Sequence, residues 1–424
     1  MDAISPIDDL AAFVTASPSS YHAAAEVAAR LTSAGYTLLD EAADWSEAVR
    51  PGGRHVVLRD GAVLAFALPE RADPGIPFRI LGAHTDSPGF RLKPKPSLAS
   101  NGWLQLGVEI YGGPILAAWF DRELELAGRL VDRDGGTHLV RTGPFARIPH
   151  LAVHLDRDLN NGITPDRQRD MTPVYGTGVP GDGDVLAHLA DIAGLDPDDV
   201  AGLDITTMDS QPPARFGDGS LFASPRLDNL SSVHAGLVGL LGTEPTDAVA
   251  VLAAFDHEEV GSESRSGAGG PLLGSVLERV GVALGGTREQ LHRALADSWV
   301  LSADTGHAVH PNRPDRHDPV NRPVVGGGPL LKINANQRYT TDGAGASLWA
   351  RTCAAAGVPW QEFVANNDVP CGSTIGPITA TRLGIRTLDV GIPLLSMHSA
   401  RELCHVDDPG HLAAAAAVFL SARA

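Results

Sequence analysis

Asp256-His257-Glu258-Glu259-Val260-Gly261-Ser262 follows directly on Val249-Ala250-Val251-Leu252-Ala253-Ala254-Phe255, and the junction between the two stretches decides the fold. The earlier run is short, continuous, apolar and β-branched at intervals, which reads as a strand buried on both faces. Its charged, glycine-containing continuation puts Glu258 and Glu259 at the strand's carboxyl end. In open α/β sheets that edge is where ligands bind. Two neighbouring carboxylates there repel each other unless a cation neutralises them or one keeps a proton. A bound metal is the economical reading.

Three further apolar runs end in a similar way. Phe78 to Ala83 leads into His84-Thr85-Asp86-Ser87-Pro88-Gly89, Trp299 to Ala303 ends in Asp304, and Thr387 to Ile392 is followed after a short loop by His398. On extended chain His84 and Asp86 point to the same side, so His84 reads as a metal ligand and Asp86 as the group that orients it. Asp228, in Ser224-Pro225-Arg226-Leu227-Asp228-Asn229, opens a helix running to about Leu241 and reads either as its N-cap or as a further ligand. Nitrogen and oxygen donors without cysteine suit catalytic zinc, or manganese or cobalt. Five ligands are too many for one tetrahedral ion that keeps a water. They suit two ions bridged by a carboxylate, which leaves one glutamate of the pair as general base. The pattern is not H-E-x-x-H, because Gly261 stands in the second histidine's place. Taken singly, each residue has a plainer role: His84 as a hydrogen-bonded core histidine, Asp304 as a turn cap, Glu258 and Glu259 as a solvated pair. Their joint placement at strand ends favours the metal site.

Alanine-rich segments at Tyr21 to Leu31, Ala344 to Ala356 and His411 to Ser421 are expected helices, and Arg54 to Leu58 and Ala62 to Leu68 are expected strands. Between about Lys93 and Ser220 the texture changes to alternation, aromatics and Gly/Pro-rich turns, as in antiparallel sheet. An α/β domain formed by residues 1–93 and 221–424 is therefore expected, split by a β-rich insertion at 94–220. Within the insertion Gly176-Thr177-Gly178-Val179-Pro180-Gly181 spells G-x-G-x-x-G. No strand is expected before it and Pro180 obstructs a helix start, so it reads as a surface loop. The aperiodic stretch from Pro311 to Pro329 reads as a functional loop.

Acidic residues outnumber Lys plus Arg by 51 to 33, for a net charge of −18, which disfavours nucleic acid or an anionic membrane as partner. No apolar run is long enough to span a bilayer, and Met1 to Asp9 lacks the basic start and apolar core of a signal peptide. Cys353, Cys371 and Cys404 are scattered and imply no disulfide framework. A cytoplasmic location is the expectation.

The blocks around His84, Asp228, Glu258-Glu259, Asp304 with His307-Ala308-Val309-His310-Pro311-Asn312, and Met397-His398-Ser399 together resemble the aspartyl aminopeptidase family of dinuclear zinc exopeptidases. The likeness covers nearly the whole chain, in the same motif order. It implies a mixed central sheet flanked by helices, of the zinc exopeptidase kind, with the insertion serving as a dimerisation domain. It further implies two zinc ions per subunit: His84 and Asp304 on one, Glu259 and His398 on the other, Asp228 bridging. Glu258 would deprotonate the water between the ions for attack on the peptide carbonyl and hand the proton to the leaving amine, with Asp86 behind His84. Substrates would be peptides with a free amino terminus, preferentially Asp or Glu. Lys332 matches the position that faces the substrate side chain, with Tyr339 and His310 beside it, although a surface lysine is the plain alternative. The likeness also implies a homo-oligomer, with a dodecamer as its candidate size, and a His154 that reaches a neighbouring subunit's site. On the residues alone His154 reads as an inward-facing strand histidine. A broad aminopeptidase, dipeptidase or deacylase on the same metals is the alternative enzyme, and a catalytically silent assembly protein the alternative outside enzymes.

Overall fold

A computed structural model of the chain describes residues 4–179 and 181–422, so Met1 to Ala3, with which the stretch read for a signal peptide begins, Pro180, Arg423 and Ala424 lie outside it. Two compact units are present. One comprises residues up to Asp86, Ala214–Met397 and Leu403 onward, the other Ser87–Pro213 with His398–Glu402.

The first unit is built on a nine-stranded sheet. Its strands lie in the order Thr37–Leu38, Arg54–Arg59, Ala62–Ala67, Val249–Phe255, Phe78–His84, Trp299–Ala303, Arg386–Gly391, Leu330–Lys332 and Gln361–Phe363. The four in the middle, from Val249–Phe255 to Arg386–Gly391, run parallel, while antiparallel pairs appear further out. It is a mixed α/β sheet with helices on both faces. Strand Val249–Phe255 shows why its sequence is apolar throughout: Ala250, Leu252 and Ala254 enter one core, and Val249, Val251, Ala253 and Phe255 the other. Period-2 alternation is thus present, but between two buried faces.

Helices Pro6–Ala16, Ser20–Ser33, Leu227–Leu241, Gly343–Ala356 and Asp408–Leu420 cover the first face. Leu272–Ala283, Arg288–Ala296 and Ile375–Leu383 cover the second. Helix Leu227–Leu241 sits tight on the sheet because Gly236 has no side chain: a Cβ there would lie 2.6 Å from Leu252 Cδ1 and 2.7 Å from Leu81 Cδ2. That closeness outweighs the roughly 0.5–1 kcal/mol glycine costs inside a helix. Among the described residues no helix is long and apolar enough to cross a membrane.

Helix Pro6–Ala16 escapes periodic reading, yet Ser5 caps it and Pro6 occupies its first turn. Asp9 ties it down: its carboxylate accepts from His234 Nε2 at 2.8 Å and Arg30 Nη1 at 2.9 Å. The His234 bond, against the opposing effect of burial, holds the Asp9 pKa down at about 2. A lowered folded pKa stabilises fully above the unfolded value near 4 and loses that contribution as pH falls through about 2. Asp9→Asn is therefore expected to cost about 0.5–1 kcal/mol at pH 7, a small figure because the pair is partly solvent-screened. Urea unfolding at pH 7 and pH 3 checks this: the gap to the parent narrows at the lower pH, and a constant gap would count against an ionic Asp9 anchor.

The second unit is a closed barrel of six strands in the order Val200–Asp209, Gly89–Ser100, Trp103–Tyr111, Val174–Thr177, Thr137–Arg147 and Glu123–Asp132. Its core includes Leu106, Leu126, Leu130, Val140 and Ile205, with Val185 and Leu189 of helix Val185–Ala193 packed in. Barrel strand Gly89–Ser100 begins directly after Ser87-Pro88, so this unit starts ahead of residue 94. Two sequence expectations are corrected here. Strand Val174–Thr177 runs into the G-x-G-x-x-G stretch and pairs with Trp103–Tyr111, although the stretch remains a loop beyond Thr177 and the Pro180 argument falls outside the described residues. His154 is not on a strand: it occupies an exposed turn between the exposed Val153 and Leu155.

Candidate active site

Register brings the expected residues of the first unit to one edge. Phe255 pairs with His84, and Ser302 pairs with Gly82, so Asp304, two places on, comes level with His84. The chain leaves Phe78–His84 for Val249–Phe255 on one side and later crosses to Trp299–Ala303 on the other. Such a switch point leaves a crevice at the carboxyl ends of the strands. Asp228 arrives from a different element. Helix Leu227–Leu241 starts irregularly, with Arg226 left-handed, Asp228 extended and a cis peptide between Asp228 and Asn229. Asn229 Nδ2 donates to the Ala303 carbonyl at 2.9 Å, which docks this start against the strand that delivers Asp304. Arg226, at the cap position, makes no side-chain cap bond.

His84 is 1% exposed and lies at the centre. Its Nδ1 donates to the Asp86 carbonyl at 3.0 Å, leaving Nε2 to face Asp228 Oδ1 at 3.3 Å, Asp304 Oδ1 at 3.7 Å and Glu258 Oε2 at 3.9 Å. That is the orientation of a metal-binding imidazole held by a backbone carbonyl. The Asp86 carboxylate does something the sequence did not reveal: Oδ1 accepts the Glu258 N–H and Oδ2 the Glu259 N–H, both at 3.1 Å. It clamps the turn that carries both glutamates.

His84, Asp228 and Asp304 each present a donor atom within 4.8 Å of the other two, and so do His84, Glu258 and Glu259. The electrostatics match a cation site. Burial works against charge on His84, yet Asp228, Asp304, Asp86 and Glu258 hold its pKa well above the usual histidine value. Burial, then Asp304, Asp228 and Asp86, push Glu258 up to about 7 despite His84. Positive charge is favoured strongly at the point where these oxygens converge, and an imidazole plus carboxylates is the donor set of catalytic zinc.

Lys332 is 1% exposed, so it is no surface lysine. Its Nζ lies 3.8 Å from Asp304 Oδ2 and 5.2 Å from the centre of the Tyr339 ring. Tyr339 in turn lines a cavity of about 270 Å3 together with His310. The cavity's charged or imidazole lining also includes His307, which entered the sequence reading only as part of the block after Asp304, and Arg316 and His317, which had been given no role. Asp389, fully buried, was missed as well; it accepts from Thr340 N–H and Oγ1 and from Thr374 Oγ1, all at 2.6 Å, fixing the residue next to Tyr339.

In the second unit, His398 heads the stretch His398–Glu402. Its backbone N–H donates to Glu402 Oε1 at 2.8 Å and its Nδ1 to the Gly113 carbonyl at 3.0 Å. As in His84, a carbonyl on Nδ1 sets the tautomer whose Nε2 can accept a metal.

Residues 13–419 match the family profile described as Aminopeptidase I zinc metalloprotease (M18). The chain is a member of the M18 zinc aminopeptidases. M18 is the aspartyl aminopeptidase family. The M18 chain is 53% identical over 421 residues to a probable M18 family aminopeptidase 2 of Streptomyces avermitilis, covering 97% of each. It is 45% identical over 427 residues to the protein of that name in Mycobacterium tuberculosis, covering 98% of each. Among solved structures, Ape4 in a complex with Nbr1 superposes with a TM-score of 0.94 at 36% identity, covering 98% of this chain and 85% of that one. The S. cerevisiae mApe1 dodecamer gives 0.84 at 28% identity, covering 98% and 95%.

Proposed function

We propose that this M18 aminopeptidase releases amino-terminal residues, preferentially Asp or Glu, from peptides at a site holding two zinc ions. The single observation that carries the reading is the convergence of His84, Asp228, Asp304 and Glu258 at the switch point of the sheet, beside a cavity lined by Tyr339 and histidines. His84 and Asp304 would hold one ion, Glu259 and His398 the other, with Asp228 shared between them, and zinc held there would supply a Lewis acid that polarises the scissile carbonyl and acidifies water. Asp86 fixes the backbone of Glu258 and so aims its carboxylate. Glu258 takes the proton of the attacking water and delivers it to the leaving amine, so one water is consumed per bond broken. Its raised pKa suits a group that must both accept and return a proton near neutrality.

Acidic preference rests on the cavity and on Lys332, which backs Tyr339. Self-association through the β-rich unit is part of the same reading. Leu151, Val153 and Leu155 are 52%, 44% and 76% exposed around His154, and an apolar stretch of that kind suits burial by a second copy. His154 then meets the neighbour's site and helps to stabilise the tetrahedral oxyanion. The testing experiment is hydrolysis of aspartyl, glutamyl, leucyl and lysyl substrates by zinc-loaded protein. Acidic substrates are expected to turn over about 10- to 100-fold faster, as recognition of one buried charge allows. Equal turnover of leucyl substrates would leave a broad aminopeptidase, and no turnover of any would remove the assignment of substrate class.

A further inference from the structure

We infer that the β-rich unit sets one of the zinc ligands: Arg401, gripped by Asp209 of the barrel, is a positioning residue for His398. The inference rests on the reading above that His398 binds zinc, and it gives the inserted unit a task within its own subunit besides self-association.

The stretch His398–Glu402 belongs by packing to the unit of Ser87–Pro213, although it comes from far along the chain. Barrel-unit residues hold its first end. The His398 carbonyl accepts the Ile115 N–H at 2.9 Å, and its Nδ1 donates to the Gly113 carbonyl at 3.0 Å. In the middle Ala400, 3% exposed, joins Phe90, Trp119, Ile148 and Met171 in one apolar cluster. His398 has a left-handed backbone, with φ 65°, a conformation that persists only where the surroundings dictate it. Its tautomer and its backbone are thus both set from the barrel unit.

Arg401 anchors the other end. Its Nη1 donates to the Gln211 carbonyl at 2.7 Å and to Asp209 Oδ2 at 3.3 Å, and its Nη2 to the Pro212 carbonyl at 2.9 Å. Asp209, 4% exposed, also accepts from Arg122 Nη2 at 2.7 Å, and Arg122 reaches on to Gln211 Oε1 at 2.9 Å. One buried carboxylate at the end of strand Val200–Asp209 therefore ties down both arginines. A guanidinium that bridges a carboxylate and backbone carbonyls fixes direction as well as distance, because its donors form a planar fork. Glu402, 2% exposed, carries the restraint back to the ligand: its Oε1 accepts the His398 N–H at 2.8 Å. Groups that orient a metal ligand in this way are worth about 10- to 100-fold in metal affinity.

The test titrates zinc into the metal-free, full-length protein against a chromophoric chelator. It compares the parent, Arg401→Gln, Arg401→Lys, His398→Ala and the double variant Arg401→Gln with His398→Ala. In Arg401→Gln the affinity for one of the two ions falls by about 10- to 100-fold, while the other stays within about twofold of the parent. Arg401→Lys keeps the charge beside Asp209 without the fork, folds as the parent does and shows a smaller loss in the same ion. Adding Arg401→Gln to His398→Ala weakens zinc no further, since the histidine it positions is already gone. Parental affinity for both ions in Arg401→Gln overturns the inference and leaves the proposed site standing. Equal weakening of both ions, or a loss that adds undiminished to that of His398→Ala, overturns it in the same way. Two ions held at parental affinity by His398→Ala would remove His398 from the metal set, and the inference with it.

Discussion

Glu258→Gln lowers kcat by about 10²- to 10⁴-fold, the range for loss of a positioned general base, without lowering bound zinc or the melting temperature. The substitution keeps shape and removes only the ability to accept a proton. Both bonds from Asp86 go to backbone N–H groups of Glu258 and Glu259, so the turn that aims the side chain survives the exchange. Melting is even expected to rise slightly, since Glu258 is part-buried among Asp304, Asp228 and Asp86 and its charged form is disfavoured there. Glu259→Gln supplies the contrast: it weakens a donor that belongs to the metal set, so zinc content falls along with rate. Steady-state kinetics and metal analysis on the two variants separate the roles. A Glu258→Gln enzyme within tenfold of the parent would dismiss Glu258 as base, and equal zinc loss in both would make it a ligand instead.

How far the residues announced these roles depends on where each partner lies in sequence. Strand Val249–Phe255 is legible because burial on both faces demands an unbroken apolar run, and Glu258 and Glu259 are legible because charge ends that run. Asp228 is ambiguous until the structure sets its carboxylate 3.3 Å from His84 Nε2. The clamp of Asp86 on residues 172 and 173 places away leaves no local trace at all. Lys332 stands in an apolar tripeptide strand, Leu330–Lys332, but its burial against Asp304 and Tyr339 is set by neighbouring strands and loops. Arg316 and His317 sit in a Pro- and charge-rich loop without periodicity, where composition marks function but cannot say which side chain faces the cavity. Asn366, some fifty residues on, donates to the Asp315 and His317 carbonyls of that loop. Helix Pro6–Ala16 carried a capping signal in Ser5-Pro6 that periodicity in its short apolar face does not reinforce.

Metal depletion is expected to abolish turnover and also to loosen the fold. The edge built by Val249–Phe255, Phe78–His84 and Trp299–Ala303 gathers Asp86, Asp228, Asp304, Glu258 and Glu259 around His84, with Asp86 and Asp228 buried at 5% and 4% exposure. Lys332 Nζ lies 3.8 Å from Asp304 Oδ2, one cation against several carboxylates. Mutual repulsion there opposes folding unless positive charge is supplied. Zinc at about a thousand times its dissociation constant stabilises by about 4 kcal/mol, which for a chain of this size corresponds to a melting shift of about 4–8 °C. Treatment with a strong chelator should therefore lower the melting temperature by that amount, and zinc, cobalt or manganese should restore it. His84→Ala removes a donor of one of the two proposed ions and so should show a smaller melting shift on chelation than the parent. The melting curve needs no substrate, which keeps this test independent of specificity and of Glu258. If the parent's melting temperature does not move on depletion while zinc is shown to have left, the carboxylate edge is stable by itself and the electrostatic account of this site is wrong. If it moves and His84→Ala moves equally, the stabilising ion sits away from His84.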